Sequence, residues 1–312
     1  MSFGKVKEVH QLSSSQLENN QDYDISLIDG YDLPFSPPLY EDTDGTFIAH
    51  KDDEILGFAL YSENGDIGNL EYVGVHPKNR GERIGSALVD KVLEESEADS
   101  LYAQATSLNG RIQSMLQNRG FEASGFNVSA NGPCIEENTI EGLNLNLWNT
   151  DDLINAYIPQ ELREFADNSL SSQRDINYVE PRGEQLTGSF EYANKNDDRL
   201  EISIGAGSNL HHHIEGAIEQ LNNKNDYWAS TVEVDTSEPV AYPILDMLSE
   251  EGFKPVDFSP AVDGQVLTMA DLGNPAGPFN LTDETIELLE TTGLDYEAES
   301  ADGMTKGCKI IG

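Results

Sequence analysis

The sequence predicts an α/β protein, and three observations predict it. Strand-like apolar alternation recurs at 46–50, 55–61, 69–75 and 101–105. Helical periodicity follows at 84–93 and again around 112–119, so helices are interleaved with strands. Between them an apolar run closes at Pro77, and a short basic turn with Gly81 and Gly85 leads straight into the first amphipathic helix.

Composition narrows the function classes. The chain has 312 residues, enough for two domains with proper cores. It carries 18 basic and 57 acidic side chains, a net charge of −39. The acid is spread over both halves, so it is no acidic tail. With 38% hydrophobic residues in periodic patterns, the chain reads as folded. A carboxylate-coated fold poor in Lys resembles proteins of salt-accumulating halophiles. At about 1 M salt the Debye length is about 3 Å, which largely screens the mutual repulsion. Such a surface disfavours nucleic acid and anionic membranes as partners. Cys134 and Cys308 form neither a disulfide framework nor a metal-ligand spacing. No signal-like leader or membrane-length apolar run is present, so a cytoplasmic location is expected.

In order, a short strand is expected at 4–10 and a short helix at 13–20. Pro37-Pro38 makes 30–46 a loop, either plain surface or one wall of an acceptor pocket. Two hairpin turns, at 51–54 and at Asn64-Gly65, link three strands. The first helix offers Ile84, Ala87, Leu88, Val92 and Leu93 as one apolar face. A second helix, with Ser107 as cap, runs to Gly120, where a left-handed residue is wanted, and Phe121 opens the next strand.

The second half repeats this layout: strand 200–206, a helix from about 213, strand 228–234, helix 239–251, then Gly252-Phe253. Ile84 and Gly120 are 36 positions apart, and Ile214 and Gly252 are 38. The layout suggests an internal duplication, with domains at 1–149 and 150–312. Leu143, Leu145 and Leu147 alternate with Asn144, Asn146 and Asn149, as in a strand closing the first domain. A helix is expected after Pro159 and another at 282–290, capped by Thr282.

The turn from Val75 through His76, Pro77, Lys78, Asn79 and Arg80 to Ala87 resembles the acyl-CoA-binding motif of the GNAT acyltransferase superfamily, Gln/Arg-x-x-Gly-x-Gly/Ala. Asn109 with Gly120-Phe121 resembles that family's second motif. The resemblance covers 46–128 and implies a GNAT fold, a mixed central sheet flanked by helices. Six of the nine basic residues in the first 150 lie between Lys78 and Arg119, where the phosphates of CoA need compensation. Backbone N–H groups of Arg80, Gly81, Glu82, Arg83, Ile84, Gly85 and Ser86 would cradle the diphosphate. Val73 and Val75 would pair with the pantetheine arm as an added strand does. Asn109 would supply a neighbouring amide.

Two positions depart from the family pattern. Arg83 stands at the first motif glycine. Leu116 stands where many members carry a Tyr that protonates the departing thiolate, and leucine cannot donate a proton. Glu71, on the strand before the turn, is the candidate base, with Tyr72 and Tyr102 as further candidates. His211-His212-His213 cannot converge on one ion from consecutive helical positions, so no metal is expected. His76 precedes Pro77 without a further role, and Trp148 and Trp228 read as core.

The resemblance implies an acyltransferase with a degenerate second GNAT-like unit. It would move an acetyl or other acyl group, not an aminoacyl group, from acyl-CoA to a small-molecule amine by direct attack in a ternary complex. The alternative is a non-catalytic acyl-CoA-binding or regulatory module. A third reading gives the second unit an interaction surface that pairs two copies as a homodimer.

Overall fold

The computed structural model describes residues 24–28, 45–51, 54–106, 110–128, 140–148, 153–170, 175–181, 188–193, 199–204, 212, 215–216, 230–261, 264–271, 279–294, 296–299 and 306–310. The expected elements at 4–10, 13–20 and 30–44, Ser107, Asn109, Cys134, the turn at 205–211, His211, His213 and Trp228 lie outside them. Contacts divide the chain into two units, Met1–Ala103 and Gln104–Gly312.

The first unit is a sheet and one helix. Strands β1 (Asp24–Ile28), β2 (Gly45–Lys51), β3 (Glu54–Asn64) and β4 (Ile67–Val75) form an antiparallel run in that order. Near-continuous apolar runs drive it, because Thr46 to Ala49 of β2 and Leu56 to Tyr61 of β3 are buried on both faces of the sheet. The Asn64-Gly65 turn is built as expected, with Gly65 at φ 62°. Helix α1 (Ile84–Glu95) carries the chain back, and β5 (Ser100–Thr106) lies parallel to β4, Ile67 opposite Ser100 and Leu70 opposite Ala103. Because the crossover returns to a parallel strand, the sheet is mixed.

α1 buries Ile84, Ala87, Leu88, Val89 and Val92, so Val89 replaces the expected Leu93 in the fully buried face. Gly57 permits the close approach. A Cβ there would stand 2.7 Å from the Gly74 carbonyl oxygen and 3.1 Å from Ile84 Cγ2. On the opposite face of the sheet Ile48, Phe58 and Leu60 pack together with Ile55 against them.

The second unit holds α2 (Gly110–Gln117), β6 (Glu122–Val128), β7 (Ile140–Trp148), a parallel pair β8 (Ile154–Ala156) and β9 (Ile176–Tyr178), and α3 (Arg163–Leu170). It continues with β10 (Gly188–Ala193), β11 (Arg199–Ile204), β12 (Ser230–Asp235), α4 (Ala241–Glu250), β13 (Lys254–Ala261) and β14 (Gly264–Asp271). β15 (Phe279–Leu281), α5 (Asp283–Thr291), β16 (Tyr296–Glu299) and β17 (Lys306–Ile310) end the described chain. Its main sheet runs β7-β6-β13-β14-β12-β10-β11, and α3 packs on β6 and β13.

Part of the unit repeats in detail. α2 and α4 each end in a left-handed glycine, Gly120 at φ 88° and Gly252 at φ 94°. Phe121 N–H then donates to Leu116 C=O, and Phe253 N–H to Leu248 C=O, the six-to-one bond of a helix C-terminus. Phe121 and Phe253, like Leu116 and Leu248, are almost completely buried. The next strands bulge at matching places, β6 at Ser124 against β7 and β13 at Val256 against β14. All four pairs of positions are separated by the same 132 residues. The likeness ends upstream. The expected strand at 200–206 is β11, but β12 pairs antiparallel with β10, whereas in the first unit β5 runs parallel to β4.

Where β6 meets β13, Gly125 stands opposite Asp257. Asp257 is buried. Its Oδ1 accepts from the Ser124 hydroxyl at 3.1 Å, and Asn144 and Ser259 also bond to it. Desolvation pushes the carboxyl up from its ordinary 3.8 to about 6, which these hydrogen bonds oppose and the Glu233 charge assists.

Candidate functional site

In the first unit, β4, the turn after it and the start of α1 form one continuous surface. His76 N–H donates to Leu56 C=O at 2.8 Å, so the backbone of His76 faces β3. Peptide groups alternate sides along a strand, and those of Val73 and Val75 therefore point away from β3. The pairing of β4 with β5 covers only Ile67–Leu70, and Val73 and Val75 lie beyond it. The two residues expected to receive an extended ligand thus direct their N–H and C=O groups along an edge past the paired stretch, where Arg80 Nε takes the Val75 C=O.

The turn is tightly built. His76 caps the 3-10 turn Pro77–Asn79, its Nδ1 accepting from Lys78 N–H at 3.3 Å. The sequence reading gave His76 no role, although a ring acceptor two residues before an amide can cap a turn. Arg80 Nε donates to Val75 C=O at 3.3 Å and folds the guanidinium back over the strand end. Asn79 Nδ2 is buried there with no acceptor. Gly81 follows at φ 90°.

Arg83 has φ 63° and ψ 13°, the one non-glycine residue at positive φ among those described. It therefore keeps the left-handed conformation for which glycine is the default, with its side chain exposed to solvent. The conformation brings α1 in at the right angle. Its first internal bond is Ala87 N–H to Arg83 C=O at 3.0 Å, so the preceding N–H groups of Ile84 and Gly85 project from the helix start. No acidic residue occupies the first turn of α1, in a chain with 57 of them. The helix dipole and Lys78, Arg80 and Arg83 thus set a local positive field in a negative molecule. Ile84 is buried against Gly57, so it and the exposed Glu82 can contribute through the backbone alone. Ser86 is half-buried on the next turn.

Arg83→Gly relieves the left-handed strain of about 1–2 kcal/mol and gives back part of it by loosening the unfolded chain. A net gain of roughly 0.5–1 kcal/mol in urea unfolding is expected. Equal or lower stability would mean that the arginine side chain supports the turn.

The expected cluster of six basic side chains contracts. Lys91 is held by Glu94 at 3.1 Å and Glu95 at 2.7 Å, and Arg119 donates to Met115 C=O at 2.9 Å. Leu116, at the family's tyrosine position, is 1% exposed and belongs to the core of its unit.

Glu71 is placed by a feature absent from the sequence reading. Between β3 and β4, Leu60 pairs with Tyr72 and Tyr61 with Leu70, so Glu71 is an extra, bulged residue. The bulge resets the alternation. Gly68, Leu70 and Val73 take the α1 face, shown by the crowding of a Gly68 Cβ against Tyr61 and Leu101. Glu71 and Tyr72 both take the opposite face. Glu71 Oε1 accepts from the Ser62 hydroxyl at 2.7 Å, and Tyr72 stacks on Phe58 with centroids 5.4 Å apart. Tyr102, paired with Asn69, falls on that face too. All three candidate bases therefore share one side of the sheet.

Residues 7–121 match the model of the Acetyltransferase (GNAT) family, which supports an acetyltransferase domain of that type in this stretch, less than half of the chain. No curated protein matches. Solved structures align with part of the chain. A GNAT family acetyltransferase from Elizabethkingia anophelis with acetyl-CoA bound is 17% identical over 41% of this chain and 99% of its own, TM-score 0.34. Nourseothricin acetyltransferase is 23% identical over 41% and 85%, TM-score 0.31. The ribosomal-protein-S18-alanine N-acetyltransferase of Escherichia coli is 14% identical over 34% and 70%, TM-score 0.31.

Among the described residues no helix is long and apolar enough to cross a membrane, and no three His, Cys, Asp or Glu side chains are grouped to hold a metal ion.

Proposed function

We propose that the chain is an acyl-CoA-dependent N-acyltransferase acting on a small amine, with its site on β4, the turn and α1. One observation carries this: the outward peptide groups of Val73 and Val75 run without a break into a turn whose left-handed Gly81 and Arg83 aim the helix N–H groups outward. An extended arm ending in a diphosphate has that shape. The family match over 7–121 supports acetyl-CoA or another acyl-CoA as the co-substrate. Asn109, outside the described residues, is proposed as a further amide contact.

The acceptor ammonium first loses a proton to Glu71, which passes it to solvent. The amine nitrogen then attacks the thioester carbonyl carbon. The C–S bond breaks, the new C–N bond remains, and the sulfur leaves with the second amine proton as the thiol. A backbone N–H of the 73–75 segment would stabilise the developing oxyanion, and holding both substrates supplies much of the rate.

The second half is proposed as a degenerate repeat, with domains at 1–149 and 150–312. The matching helix ends and strand bulges support this, and the antiparallel β10–β12 pairing is where the repeat has diverged. A halophilic source and a cytoplasmic setting are proposals that suit the charge, a homodimer is a further proposal to which the charge lends nothing, and assays belong in molar KCl.

Gly85→Val tests the cradle, because a branched side chain at the helix start would hold a diphosphate away from the N–H groups. Calorimetric titration should show CoA affinity reduced at least tenfold, with the circular dichroism spectrum little changed. Undiminished affinity would remove the phosphate site from this turn.

The buried Leu116, repeated as the buried Leu248, favours the second reading, a non-catalytic acyl-CoA-binding module. CoA binding without thiol release across a broad amine panel would establish that reading instead.

A further inference from the structure

We propose that Asn144, Asn146 and Glu122 bind a hard divalent cation of calcium size, with Asp257 behind them as the group that orients Asn144. The site lies within the second unit and is independent of the acyl-transfer reading.

The first observation is a row of residues across three strands. β7, β6 and β13 lie side by side, and Asn144, Gly125 and Asp257 stand opposite one another on them. Gly125 has no side chain, so the Asp257 carboxylate leans over it, its Oδ1 only 2.4 Å from where a Cβ would stand. There it accepts from the amide N–H of Asn144. An amide that gives its N–H to one side turns its oxygen to the other, and Asn144 Oδ1 is buried there with no hydrogen-bond partner. Asn146 follows two residues later on the same face. It is 1% exposed, and neither its Oδ1 nor its Nδ2 has a partner. Glu122, half-buried, stands directly opposite Asn146 on β6 and shares that face.

The second is the chemistry of these atoms. Asparagines alternating along a strand read as its solvent side, yet Leu143 and Leu145 on the other face and Asn144 and Asn146 on this one are all buried. Buried side-chain amides nearly always find partners, and here two neighbouring ones lack them. Amide and carboxylate oxygens are hard donors, the kind calcium and magnesium take. Alternate residues of a strand are about 7 Å apart, so an ion about 2.4 Å from each oxygen fits between the two amides. Calcium accepts an irregular set of oxygens, whereas magnesium demands a near-ideal octahedron. Glu122 lies on the side that meets solvent, where waters complete the shell. The site needs no group of three acidic, His or Cys side chains, because two of its oxygens are amides.

The third is charge. Asp257 is buried, its bonds come from the neutral donors Ser124, Asn144 and Ser259, and the charge that acts on it is that of Glu233, of the same sign. A buried carboxylate without an opposite charge is costly. Glu122 and Asp257 bring two negative charges to the position, which a divalent ion balances and a water molecule does not. Asp257 acts through Asn144. Its hydrogen bond fixes the amide and makes the oxygen a better donor, as outer carboxylates do for metal-bound histidines.

The test is a calorimetric titration of calcium chloride into the chelator-treated full chain, paired with thermal unfolding in calcium and in chelator. Both are run in 2 M KCl, which screens the diffuse attraction of a protein with a net charge of −39. One calcium per chain should bind and raise the unfolding temperature. Asn146→Leu should weaken calcium at least tenfold. It changes no charge, so diffuse binding to carboxylates predicts no loss there. In chelator the same variant should unfold at the wild-type temperature or above it, since an apolar side chain replaces a buried amide without partners. The order of the two proteins therefore reverses when calcium is added. Glu122→Gln, a half-buried change of equal size, should weaken calcium at least fivefold and keeps the test open if Asn146→Leu fails to fold. Absence of saturable calcium binding to the wild type overturns the proposal. So does wild-type calcium affinity in either variant. An Asn146→Leu chain more stable than wild type in both calcium and chelator overturns it as well, and assigns the two amides to internal water only.

Discussion

Gly125→Ala will destabilise the second unit by about 3–5 kcal/mol, among the largest effects of a single methyl group. An ideal Cβ at this position would stand 2.3 Å from Asp257 Cα and 2.3 Å from the Val256 carbonyl oxygen. Both are backbone atoms of the neighbouring strand, so no rotamer change relieves the overlap. The strands would have to part at the place where β6 and β13 meet, and Gly125 opposite Asp257 is the registered pair of that junction. The Asp257 carboxylate is displaced as well, with Oδ1 only 2.4 Å from the added carbon. Urea unfolding followed by circular dichroism measures the loss. A shift of less than about 0.5 kcal/mol, the usual range of neutral surface changes, would mean that the two strands are not in contact there.

Asp257→Asn will make the protein more stable relative to wild type as pH rises from 4 to 7. The folded-state carboxyl titrates near 6 and the unfolded one near 3.8. Between these values the folded protein keeps a proton that the unfolded chain has released. Stability therefore falls as pH rises through this window and stays lower above it, by roughly 3 kcal/mol from this group. Asparagine has no proton to lose and escapes that slope. Other carboxylates titrate in the same range, so the quantity to measure is the variant-minus-wild-type difference in unfolding free energy at each pH. It should move in favour of asparagine by about 2 kcal/mol between pH 4 and pH 7. A difference that is constant with pH would show that Asp257 titrates like a surface carboxylate.

The two effects meet at one junction with a sequence explanation visible only in retrospect. Gly125 and Asp257 occupy equivalent places in the two matching strand pairs, each one residue after a bulge. Across the junction one must be small because the other is not. Neither residue stands out in the linear chain, since glycine and aspartate both read as turn formers. Burial of an aspartate among Ser124, Asn144 and Ser259 arises from strands brought together over 132 residues.

Much of the candidate site was legible. Periodicity located β2 to β5 and α1 to within a few residues, because alternating and helical patterns report burial directly. The turn was legible from Pro77, Gly81 and the basic residues, since its backbone needs are local. Arg83 read as a departure from the motif, yet it adopts the left-handed conformation itself, at a cost that only the dihedral angles reveal. Other elements were not legible. β1, β10, the short pair β8–β9 and the three-stranded sheet β15–β17–β16 depend on partners across loops, and such strands carry little local signal.

By itself the sequence determined the order of strands and helices from β2 to β5, the strand–turn–helix that suits an anion, and the negative surface around it, all of which follow from local pattern and composition. The tertiary structure alone decided that Glu71 and Tyr72 face the same way, because one extra residue in β4 against β3 reverses the alternation. It alone decided that Lys91 is tied to Glu94 and Glu95. It also joined β6 to β13 through a glycine and a buried aspartate. Each of these depends on which backbone groups pair across space, and a linear pattern of residues does not contain that pairing.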